Sequence, residues 1–558
     1  MEYGKLVELY QKLEATTKKL EMTDILAEFL KGVEPKILPE VILLTMGRIF
    51  PEWEQKEVGV AANLMVQAIK KATGVSEEDI IKWWKETGDL GDAASSAIKS
   101  RKQAVLFRKP LTVEMLVNNL RKAAELEGPG TIEKKISLVA ELLASSKPEE
   151  ARYIVRTILG ELRVGVGEGI VRDAISKAFG VDVNLVERAY YLTCDYGVVA
   201  RLVREEGEEG LKKVKIELGR PIKVMLAQKA EDIRDGFEKV GRPCAIEFKY
   251  DGMRVQVHKK GEEVIIFTRR LENVTKQFPE IVRGVKECVK AKECVIEGEA
   301  VGYNPKTGEP LPFQMISRRI KRKYEIEEMA RQIPTETFFF DIVYLEGKET
   351  MSLPFEERRK LLSKVITPKE RLIGLTKQII TSDEKEAEEF YQEALRAKQE
   401  GVMFKNLKAK YQPGTRVGYM LKLKPIMETL DLVIVGAEWG EGKRAKWLSS
   451  FLLACRDPES GKLLTVGKMA TGLTEAQFEE MTRRLKPLIV SEKGRMVEVK
   501  PEVVVEVGYQ EIQKSPKYES GFALRFPRLI RFRDDKPVEE ADTLERVKKL
   551  YESEARRI

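Results

Sequence analysis

The hydrophobic periodicity of this chain changes at defined points, and those changes limit the folds open to it. Up to about residue 215, apolar residues recur at the spacing of amphipathic helices. After Gly219-Arg220-Pro221 the pattern becomes short alternating strands mixed with helices, and from about Thr429 it is mainly strands. At 558 residues the chain is too long for one core. We expect a multidomain protein with an all-α domain at 1–217, an α/β domain at 218–427 and a β-rich domain at 428–558.

Apolar residues at helical spacing predict the helices of the first domain. The predicted segments include Glu2–Leu30, Pro39–Ile49, Val58–Ala72, Thr112–Leu126, Ile132–Ser145, Pro148–Leu159 and Ile170–Phe179. Glycine-containing joints such as Gly128-Pro129-Gly130 and Gly165–Gly169 separate some of them. These joints are either ordinary turns or helix N-termini that offer backbone amides to phosphates, and the residues alone leave both readings open.

Four predicted strands dominate the third region. They are Leu432–Ala437, Trp447–Arg456, Leu463–Met469 and Met496–Val507. Their number and length suit a small five-stranded β-barrel of the oligonucleotide-binding (OB) type, with an immunoglobulin-like sandwich as the alternative. A charged helix is predicted from about Thr543 to Ile558.

Composition excludes several kinds of chemistry. The chain has one histidine, His258, which rules out Ser-His-Asp, Cys-His and histidine-rich metal sites. The five cysteines are scattered without C-x-x-C pairs, so neither a zinc site nor a disulfide framework is indicated. The absence of a G-x-x-x-x-G-K-[ST] motif argues against a P-loop NTPase. Chemistry must therefore use lysine, arginine, carboxylates or a metal held by oxygen atoms.

The charge pattern is compatible with nucleic-acid binding. The formal net charge is +8 and the isoelectric point is near 8.8, a mild basic excess. The sequence has no leader-like N-terminus and no apolar run long enough to span a bilayer, so we expect a soluble, cytoplasmic protein. Interspersed Glu, Lys and Arg on the helices favour a thermophilic source.

We expect the chemistry in the stretch Ala245–His258, which reads A-I-E-F-K-Y-D-G-M-R-V-Q-V-H. Apolar and polar residues alternate on both sides of Asp251-Gly252, which predicts a β-hairpin. A two-residue turn would place Lys249 opposite Arg254, with Glu247 on the same polar face. The guanidinium would then favour the neutral, nucleophilic amine of the lysine. The alternative is an exposed hairpin edge with solvated charges.

Downstream strands also collect polar side chains on single faces. The strand at Val295–Val301 places Glu297 and Glu299 together, and Leu421–Lys424 does the same for two lysines. Carboxylates bind Mg²⁺, lysines contact phosphates, and Phe340 in the run F-F-F-D-I-V-Y can stack on a base. These strands predict a nucleotide-binding cleft.

Six ordered motifs, together with Phe340-Asp341, resemble those of the ATP-dependent DNA ligases of the archaeal and eukaryotic replicative type. They are Lys249-Tyr250-Asp251-Gly252-Met253-Arg254; Thr268-Arg269-Arg270 with Glu272, Thr275 and Pro279; Glu297-Gly298-Glu299-Ala300; Glu400–Lys405; Leu421–Lys424; and Arg525-Phe526-Pro527-Arg528. The resemblance covers essentially the whole chain. It identifies 1–217 as the helical DNA-binding domain, 218–427 as the nucleotidyltransferase (adenylation) domain and 428–558 as the OB-fold domain with its C-terminal helix.

The resemblance implies a role for individual residues. Lys249 would be the catalytic residue that becomes covalently adenylylated. The nucleotide-binding residues would be Glu247 at the adenine edge, Phe340 stacked on adenine, Glu299 at the ribose or the metal, Arg254, Lys422 and Lys424 around the α-phosphate, Arg269 near nucleotide and DNA phosphate, and Arg525 and Arg528 toward the outgoing pyrophosphate. Glu299 and Glu400 would hold the metal.

The implied activity is the sealing of nicks in duplex DNA, in replication, repair and recombination. ATP would be the co-substrate and Mg²⁺ the metal, and a domain closure would accompany adenylylation of a monomeric enzyme. In archaeal members, a glutamine-led hydrophobic motif docks on the sliding clamp. Gln103, Leu106 and Phe107 resemble a shortened version of that motif, and the alternative is that they pack back onto their own domain.

Other readings share part of this pattern. An RNA ligase or an mRNA guanylyltransferase would also carry K-x-D-G and the later lysine pair, but the large helical domain favours a DNA enzyme. An NAD-dependent ligase would be expected to have cysteine-based zinc ligation, which this sequence lacks. From a different class, the chain could be a non-catalytic duplex-binding or clamp-associated scaffold, which would not become labelled by ATP.

Overall fold

The computed structural model divides the chain into two compact units. It describes residues 1–101, 110–128, 130–320, 322, 324–425, 429–440, 444 and 446–557, without the side chains of residues 314 and 554–557. The first unit comprises Met1–Ser382 and Met403–Lys422, and the second comprises Asp383–Val402 and Leu423–Ile558. Within the described residues, no helix is both long and apolar enough to cross a membrane.

The predicted all-α region is confirmed as a set of packed amphipathic helices. Their bounds are α1 Tyr3–Glu14, α2 Lys19–Lys31, α3 Leu38–Thr45, α4 Ala62–Thr73, α5 Glu77–Thr87, α6 Leu90–Ser100, α7 Val113–Glu125, α8 Ile132–Ser145, α9 Pro148–Ile158, α10 Glu168–Phe179, α11 Val183–Thr193 and α12 Tyr196–Lys212. Side chains of Ser76, Asp89, Thr112, Asp182 and Asp195 cap five of these helices by accepting backbone N–H groups.

The predicted single helix Glu2–Leu30 is wrong in one respect, because it is broken into α1 and α2. The Thr16 hydroxyl accepts a hydrogen bond from the Lys18 backbone N–H at 3.2 Å and donates to the Glu21 carboxylate at 2.7 Å. A threonine side chain that bonds to nearby groups in this way competes with the helical backbone pattern. The break therefore has a local cause that apolar periodicity does not register.

The region after residue 218 alternates strands and helices. Its elements are β1 Leu226–Lys229, α13 Ile233–Val240, β2 Cys244–Lys249, β3 Met253–Lys260, β4 Glu263–Thr268, α14 Pro279–Cys288, β5 Glu293–Tyr303, β6 Pro310–Leu311, α15 Phe313–Ile320, α16 Ile326–Gln332, β7 Thr335–Leu345, β8 Lys348–Glu349, α17 Phe355–Val365, β9 Ile373–Leu375, β10 Gln378–Thr381, α18 Glu384–Arg396, β11 Gly401–Asn406 and β12 Arg416–Leu423. This mixture confirms the predicted α/β class.

These strands form two separate sheets. One has the order β1-β12-β11-β2-β10, with β1 parallel to β12 and β10 antiparallel to β2. The other has the order β4-β3-β5-β7-β8, with β6 on β5 and β9 on β7. Consecutive strands β2 and β3 therefore lie in different sheets, and the short segment between them passes from one sheet to the other.

The helical part packs directly on the α/β part within the first unit. Val295, Val343 and Met351 belong to the same apolar cluster as the helical core. At the polar edge, the Lys223 ammonium lies 2.9 Å from the Glu52 carboxylate, and the Glu349 carboxylate accepts the Ile216 backbone N–H at 2.8 Å. The connection between the two parts is therefore an ordered, packed segment.

The second unit is rich in antiparallel strands. Its further elements are β13 Leu430–Trp439, β14 Leu448–Arg456, β15 Leu463–Met469, α19 Glu475–Leu485, β16 Ile489–Lys493, β17 Met496–Val499, β18 Val504–Gly508, β19 Glu511–Lys514, β20 Phe522–Arg525, β21 Arg528–Phe532 and α20 Leu544–Arg557. The sheet order is β15-β14-β13-β17-β16, with β18 joining β13 to β21, and β19 pairs with β20. The β-rich composition of this region is confirmed, and Met496–Val507, predicted as one strand, is two.

A buried ion pair anchors α17 to β7. Asp341 is 3% exposed and Arg358 has no exposed surface. The guanidinium donates to both carboxylate oxygens of Asp341, at 2.8 and 3.0 Å, and also to the carbonyls of Leu353 and Ala409. All three guanidinium nitrogens are used, which offsets the cost of removing both charges from water.

We predict that Arg358→Ala lowers the free energy of unfolding of the first unit by about 3–5 kcal/mol, because it leaves the Asp341 carboxylate buried without its cation. Denaturant and thermal unfolding would measure the loss. The matched control is Arg331→Ala, which removes an exposed ion pair to Glu328 on α16 and should cost about 0.5 kcal/mol or less. Equal losses in the two variants would contradict this account of the core.

Candidate active site

Lys249 is the last residue of β2, and the predicted hairpin around it is wrong. Strand β3 pairs with β4 and β5, whereas β2 pairs with β10 and β11. Five of the six residues of β2 are buried, so the strand needs a neighbour on each side and finds both far away in sequence. Lys249 and Arg254 therefore lie on strands of different sheets and are not cross-strand partners.

Gly252 is required for close packing rather than for a hairpin turn. A Cβ atom at this position would lie 2.5 Å from the Ala300 carbonyl oxygen and 2.9 Å from Cγ of Glu299. Its φ is not in the left-handed region that a type I′ hairpin turn would need. The K-x-D-G segment thus packs at Gly252 against Glu299 and Ala300 of β5.

Glu247 is the centre of a buried polar group on three adjacent strands. Its side chain is 1% exposed. Oε1 accepts a hydrogen bond from Gln378 Nε2 at 2.8 Å, and Oε2 lies 2.6 Å from Lys405 Nζ. Gln378 is the direct cross-strand neighbour of Glu247 on β10, and Lys405 lies on β11, on the other side of β2. We call Glu247, Gln378 and Lys405 the β2 cluster.

A second buried carboxylate, Glu297 on β5, holds Arg254. Glu297 has no exposed surface, and its Oε2 accepts from the Arg254 guanidinium at 2.8 Å and from the Tyr411 hydroxyl at 2.9 Å. Gln256 donates to the other oxygen at 3.2 Å. Burial lowers the pKa of Arg254, but Glu297, Tyr411 and Glu299 together outweigh that effect, so the pKa lies above its ordinary value. We call Arg254, Gln256, Glu297 and Tyr411 the β3–β5 cluster.

The predicted shared face of Glu297 and Glu299 is confirmed by the strand register. Arg254 lies directly opposite Glu299, and Gln256 lies directly opposite Glu297. Side chains two residues apart on a strand point to the same side, so these four face one side of the sheet. Glu299 is only partly buried, unlike its neighbour Glu297.

Phe340 contacts both clusters. The Lys405 ammonium lies 4.6 Å from the centre of its ring, and the Arg254 guanidinium lies 5.4 Å away. Nearby, Tyr250 stacks on Phe338 with ring centres 4.3 Å apart, which fastens the segment after Lys249 to β7. The aromatic side chains therefore lie beside the polar groups predicted to bind a nucleotide.

Arg269 follows β4 and lies among other cations. Partial burial and the guanidinium groups of Arg254 and Arg416 lower its pKa. The loop that carries it is closed by the Thr268 hydroxyl, which donates to the Glu272 carboxylate at 3.0 Å. A site where neighbouring guanidinium groups lower the pKa of an arginine in this way is a favourable place for an anion.

The remaining predicted residues are divided between the units. Lys422 lies on β12 of the first unit, opposite Lys229 of β1. Glu400 and Lys424 belong to the second unit, where they pair with each other at 2.6 Å. Five predicted residues therefore lie on β2, β3, β5 and β7 of the first unit: Glu247, Lys249, Arg254, Glu299 and Phe340. Glu400 and Lys424 instead pair with each other in the second unit.

Arg525 and Arg528 flank an exposed phenylalanine in the second unit. Arg525 lies 3.3 Å from the Glu511 carboxylate and lines a cleft of about 320 Å³, whereas Arg528 is exposed. Between them, Phe526 has φ 47° and is 61% exposed. A positive φ is unusual for an aromatic residue and marks a constrained turn.

Sequence reasoning missed several polar residues of these clusters. Lys405 lies within one of the recognised motifs, Glu400–Lys405. Because side chains two residues apart on a strand point to the same side, the sequence could have placed Lys405 on the same face of β11 as Met403. Gln378 carried no signal, because its partner Glu247 is 131 residues away. Tyr411 was missed for the same reason. Gln103, Leu106 and Phe107, the predicted clamp residues, lie outside the described residues.

Three family models match successive parts of the chain. The DNA ligase N-terminus model matches residues 2–176, the ATP-dependent DNA ligase domain model matches 224–424, and the ATP-dependent DNA ligase C-terminal region model matches 444–536. Together they give the three-part architecture of helical, adenylation and C-terminal regions.

Curated relatives match over their full length. The DNA ligase of Nanoarchaeum equitans is 52% identical, over 99% of this chain and 98% of the relative. The DNA ligases of Thermococcus fumicolans and Archaeoglobus fulgidus are 49% and 48% identical, each over 99% of this chain and 98% of the relative. A solved structure named Pmar-Lig_PreS3, 18% identical, has the same fold, with a TM-score of 0.58 over 95% of this chain and 99% of that one.

His258 lies beside the β3–β5 cluster and is buried. It is 2% exposed, and burial lowers its pKa to about 3. In the unfolded chain an exposed histidine binds a proton near pH ~6.5. Below that pH the unfolded state takes up a proton that the folded state does not, so folding becomes less favourable as the pH falls toward 3.

We predict that this histidine makes stability pH-dependent by up to about 1.4 kcal/mol per pH unit below ~6.5. Denaturant unfolding of the wild type and of His258→Gln, measured from pH 4 to 8, would isolate the effect. The difference in the free energy of unfolding between the two proteins should be constant above pH 7. At lower pH it should shift in favour of the variant. Parallel curves over the whole range would contradict a buried neutral imidazole.

Proposed function

Since the chain belongs to the family of ATP-dependent DNA ligases, we propose that Lys249 is the amine that carries the adenylyl group. The enzyme uses ATP and seals nicks between a 5′-phosphate and a 3′-hydroxyl in duplex DNA, through an enzyme adenylate and a DNA adenylate. The observation that carries the proposal is the location of Lys249: it ends the strand of Glu247, and the segment after it packs on Glu299.

The chemistry suits an amine. The lone pair of neutral Lys249 Nζ attacks the α-phosphorus of ATP, a P–N bond forms, and the P–O bond to pyrophosphate breaks with its electron pair. The amine loses a proton. An oxygen of the 5′-phosphate at the nick then attacks the adenylyl phosphorus, a P–O bond forms, and the P–N bond breaks to release the protonated lysine amine. The 3′-hydroxyl attacks that phosphate, and AMP leaves. A phosphoramidate is stable while the nitrogen is uncharged and becomes a good donor once the nitrogen is protonated.

We assign adenine recognition to the β2 cluster and Phe340. A carboxylate only accepts hydrogen bonds, so Glu247 suits the exocyclic amine of adenine. Lys405 and Gln378 hold its two oxygens and fix the direction of the remaining lone pairs. Phe340 lies in contact with Lys405 and supplies an aromatic face for stacking.

Arg254 is assigned to the α-phosphate and its surroundings, together with Lys422 and Lys424. Two of the guanidinium nitrogens of Arg254 are held by protein oxygens, whereas its Nε–H is buried and has no partner among the described residues. A buried donor without an acceptor is costly, and a substrate oxygen would supply one. Cations around the equatorial oxygens favour phosphoryl transfer because negative charge spreads over those atoms.

The donor set fits a magnesium ion that arrives with ATP. Among the described residues, no group of three or more acidic, cysteine or histidine side chains is arranged to hold a metal by itself. Magnesium in nucleotide enzymes is usually held by one or two carboxylates and by the phosphates of the substrate. Glu299 and Glu400 are the carboxylates assigned to it. When bound, the ion neutralises charge on the phosphates.

The remaining assignments follow the motifs. Arg269 is proposed to bind nucleotide and DNA phosphate, which its cationic surroundings support. Arg525 and Arg528 are proposed to act on the outgoing pyrophosphate. We also propose a C-terminal OB-fold, domain boundaries at 217/218 and 427/428, a monomeric enzyme, and a clamp contact through Gln103, Leu106 and Phe107.

We predict that Lys249→Ala abolishes covalent labelling by ATP and Mg²⁺ and abolishes nick sealing. Intact-mass measurement and peptide mapping would locate the adduct. Lys260→Ala, at the exposed far end of β3, is the control and should be labelled like the wild type. NAD in place of ATP should give no adduct. An AMP adduct that persists in Lys249→Ala would overturn the proposed nucleophile.

We predict that replacing Arg525 and Arg528 with alanine slows self-adenylylation by about 10- to 1,000-fold, because charge on the leaving pyrophosphate is no longer stabilised. Sealing of a nick by enzyme that already carries AMP should change by less than about threefold. Arg531→Ala, an exposed arginine on β21 paired with Glu506, is the matched control. Equal losses in both reactions would rule out a role confined to pyrophosphate.

A further inference from the structure

Gln256 has every hydrogen-bonding position of its amide occupied. The side chain is 2% exposed. Its Oε1 accepts from the Ile222 backbone N–H and from the His258 ring, each at 2.9 Å. Its Nε2 donates to the Ile222 carbonyl and to Glu297 Oε1, each at 3.2 Å. Two donors and two acceptor sites are thus satisfied, so the amide has a single preferred orientation.

His258 fixes that orientation further. Its Nδ1 lies 3.2 Å from the Gly219 backbone nitrogen and must accept that N–H. The proton of the neutral ring therefore sits on Nε2, which donates to Gln256 Oε1. With its oxygen held in this way, the Gln256 amide can present only N–H to Glu297.

Glu297, held by Gln256, in turn holds Arg254 in position. One of its oxygens is held by Gln256, and the other accepts from Arg254 and from the Tyr411 hydroxyl. The second terminal nitrogen of Arg254 donates to the Met225 carbonyl at 2.8 Å. A guanidinium held at both terminal nitrogens is fixed in its plane, and that fixes the direction of the buried Nε–H.

The backbone that supports this chain of bonds is the segment Gly219–Met225. It contributes the N–H of Gly219, both backbone groups of Ile222 and both backbone groups of Met225, whose N–H donates to the Tyr411 hydroxyl. This segment directly follows the helical part of the first unit. Every side chain in this hydrogen-bond network is therefore bonded either to the segment Gly219–Met225 or to another side chain that is bonded to the segment.

From this geometry we infer that Gln256 and His258 are positioning residues for adenylyl transfer, because they hold Glu297 and thereby the guanidinium of Arg254. The inference rests on the proposed role of Arg254 at the α-phosphate. Neither residue needs to touch the nucleotide. A displacement of about 1 Å in a group that stabilises a transition state can cost about 100-fold in rate, so indirect support of this kind is measurable.

The test is a double-mutant cycle on single-turnover self-adenylylation with ATP and Mg²⁺. Gln256→Met, similar in length but without hydrogen-bonding groups, should lower the rate constant at saturating ATP by about 10- to 100-fold, with KM changed less than about threefold. Arg254→Ala should cause at least as large a loss. If Gln256 acts through Arg254, the double variant should be no more than about twofold slower than Arg254→Ala.

A pair of variants at His258 provides a second measurement that leaves the Gln256 side chain itself in the protein. His258→Gln retains a donor at the position of Nε2 and should recover most of the rate, whereas His258→Leu removes it and should be slowed like Gln256→Met. The pair keeps the proposal testable if Gln256→Met is not recovered folded. Equal rates in the two His258 variants, both at the wild-type level, would overturn the role of the histidine.

A buried polar residue elsewhere controls for general destabilisation. Asn119 is 8% exposed in the helical part and donates to the Glu141 carboxylate at 3.0 Å. Asn119→Leu should lower the melting temperature without changing the rate constant for adenylylation. If the rate losses of Gln256→Met and Arg254→Ala multiply in the double variant, the inference is overturned, although Lys249 still becomes labelled and the proposed function stands. Labelling that survives Lys249→Ala would instead show that the proposed function itself had failed.

Discussion

The buried carboxylate of Glu297 is the constraint on which the catalytic part depends. A charge with no contact to water costs several kcal/mol unless donors surround it. Here a guanidinium, an amide and a phenol meet that need from β3 and from the loop before β12. Because those donors must converge on one point, β3, β5 and the segment before β1 cannot shift independently. The strands that carry the reactive groups are therefore held by a polar requirement as well as by apolar packing.

The sequence predicted the order and type of elements well and their long-range partners poorly. Helical spacing before residue 215 and alternation after Gly219 are local properties, and both are confirmed. The face shared by Glu297 and Glu299 followed from period-2 geometry alone. The hairpin at Asp251-Gly252 was wrong, because an alternating pattern shows which residues share a face but not which strand lies alongside.

The same limit explains which site residues could be anticipated. Lys249, Glu247 and Arg254 lie close together in a recognisable motif, so their importance is visible in one stretch. Gln378 and Tyr411 reach the site from 131 and 114 residues away from the carboxylates they contact. No local pattern distinguishes such residues from other polar residues on strands and loops. Their identification needs the fold, because only the fold says which carboxylate must be neutralised and from where.

The packed segment Gly219–Met225 also bears on how such enzymes could exchange parts during evolution or in the laboratory. Its backbone is hydrogen-bonded to side chains of the catalytic strands, although it precedes β1, the first strand of that part. A recombination junction placed after Met225 would pair a foreign backbone with Gln256, His258 and Arg254. A junction before Gly219 would transfer the segment together with the residues that recognise it. A segment exchanged as the intact catalytic part should therefore begin before Gly219, upstream of β1.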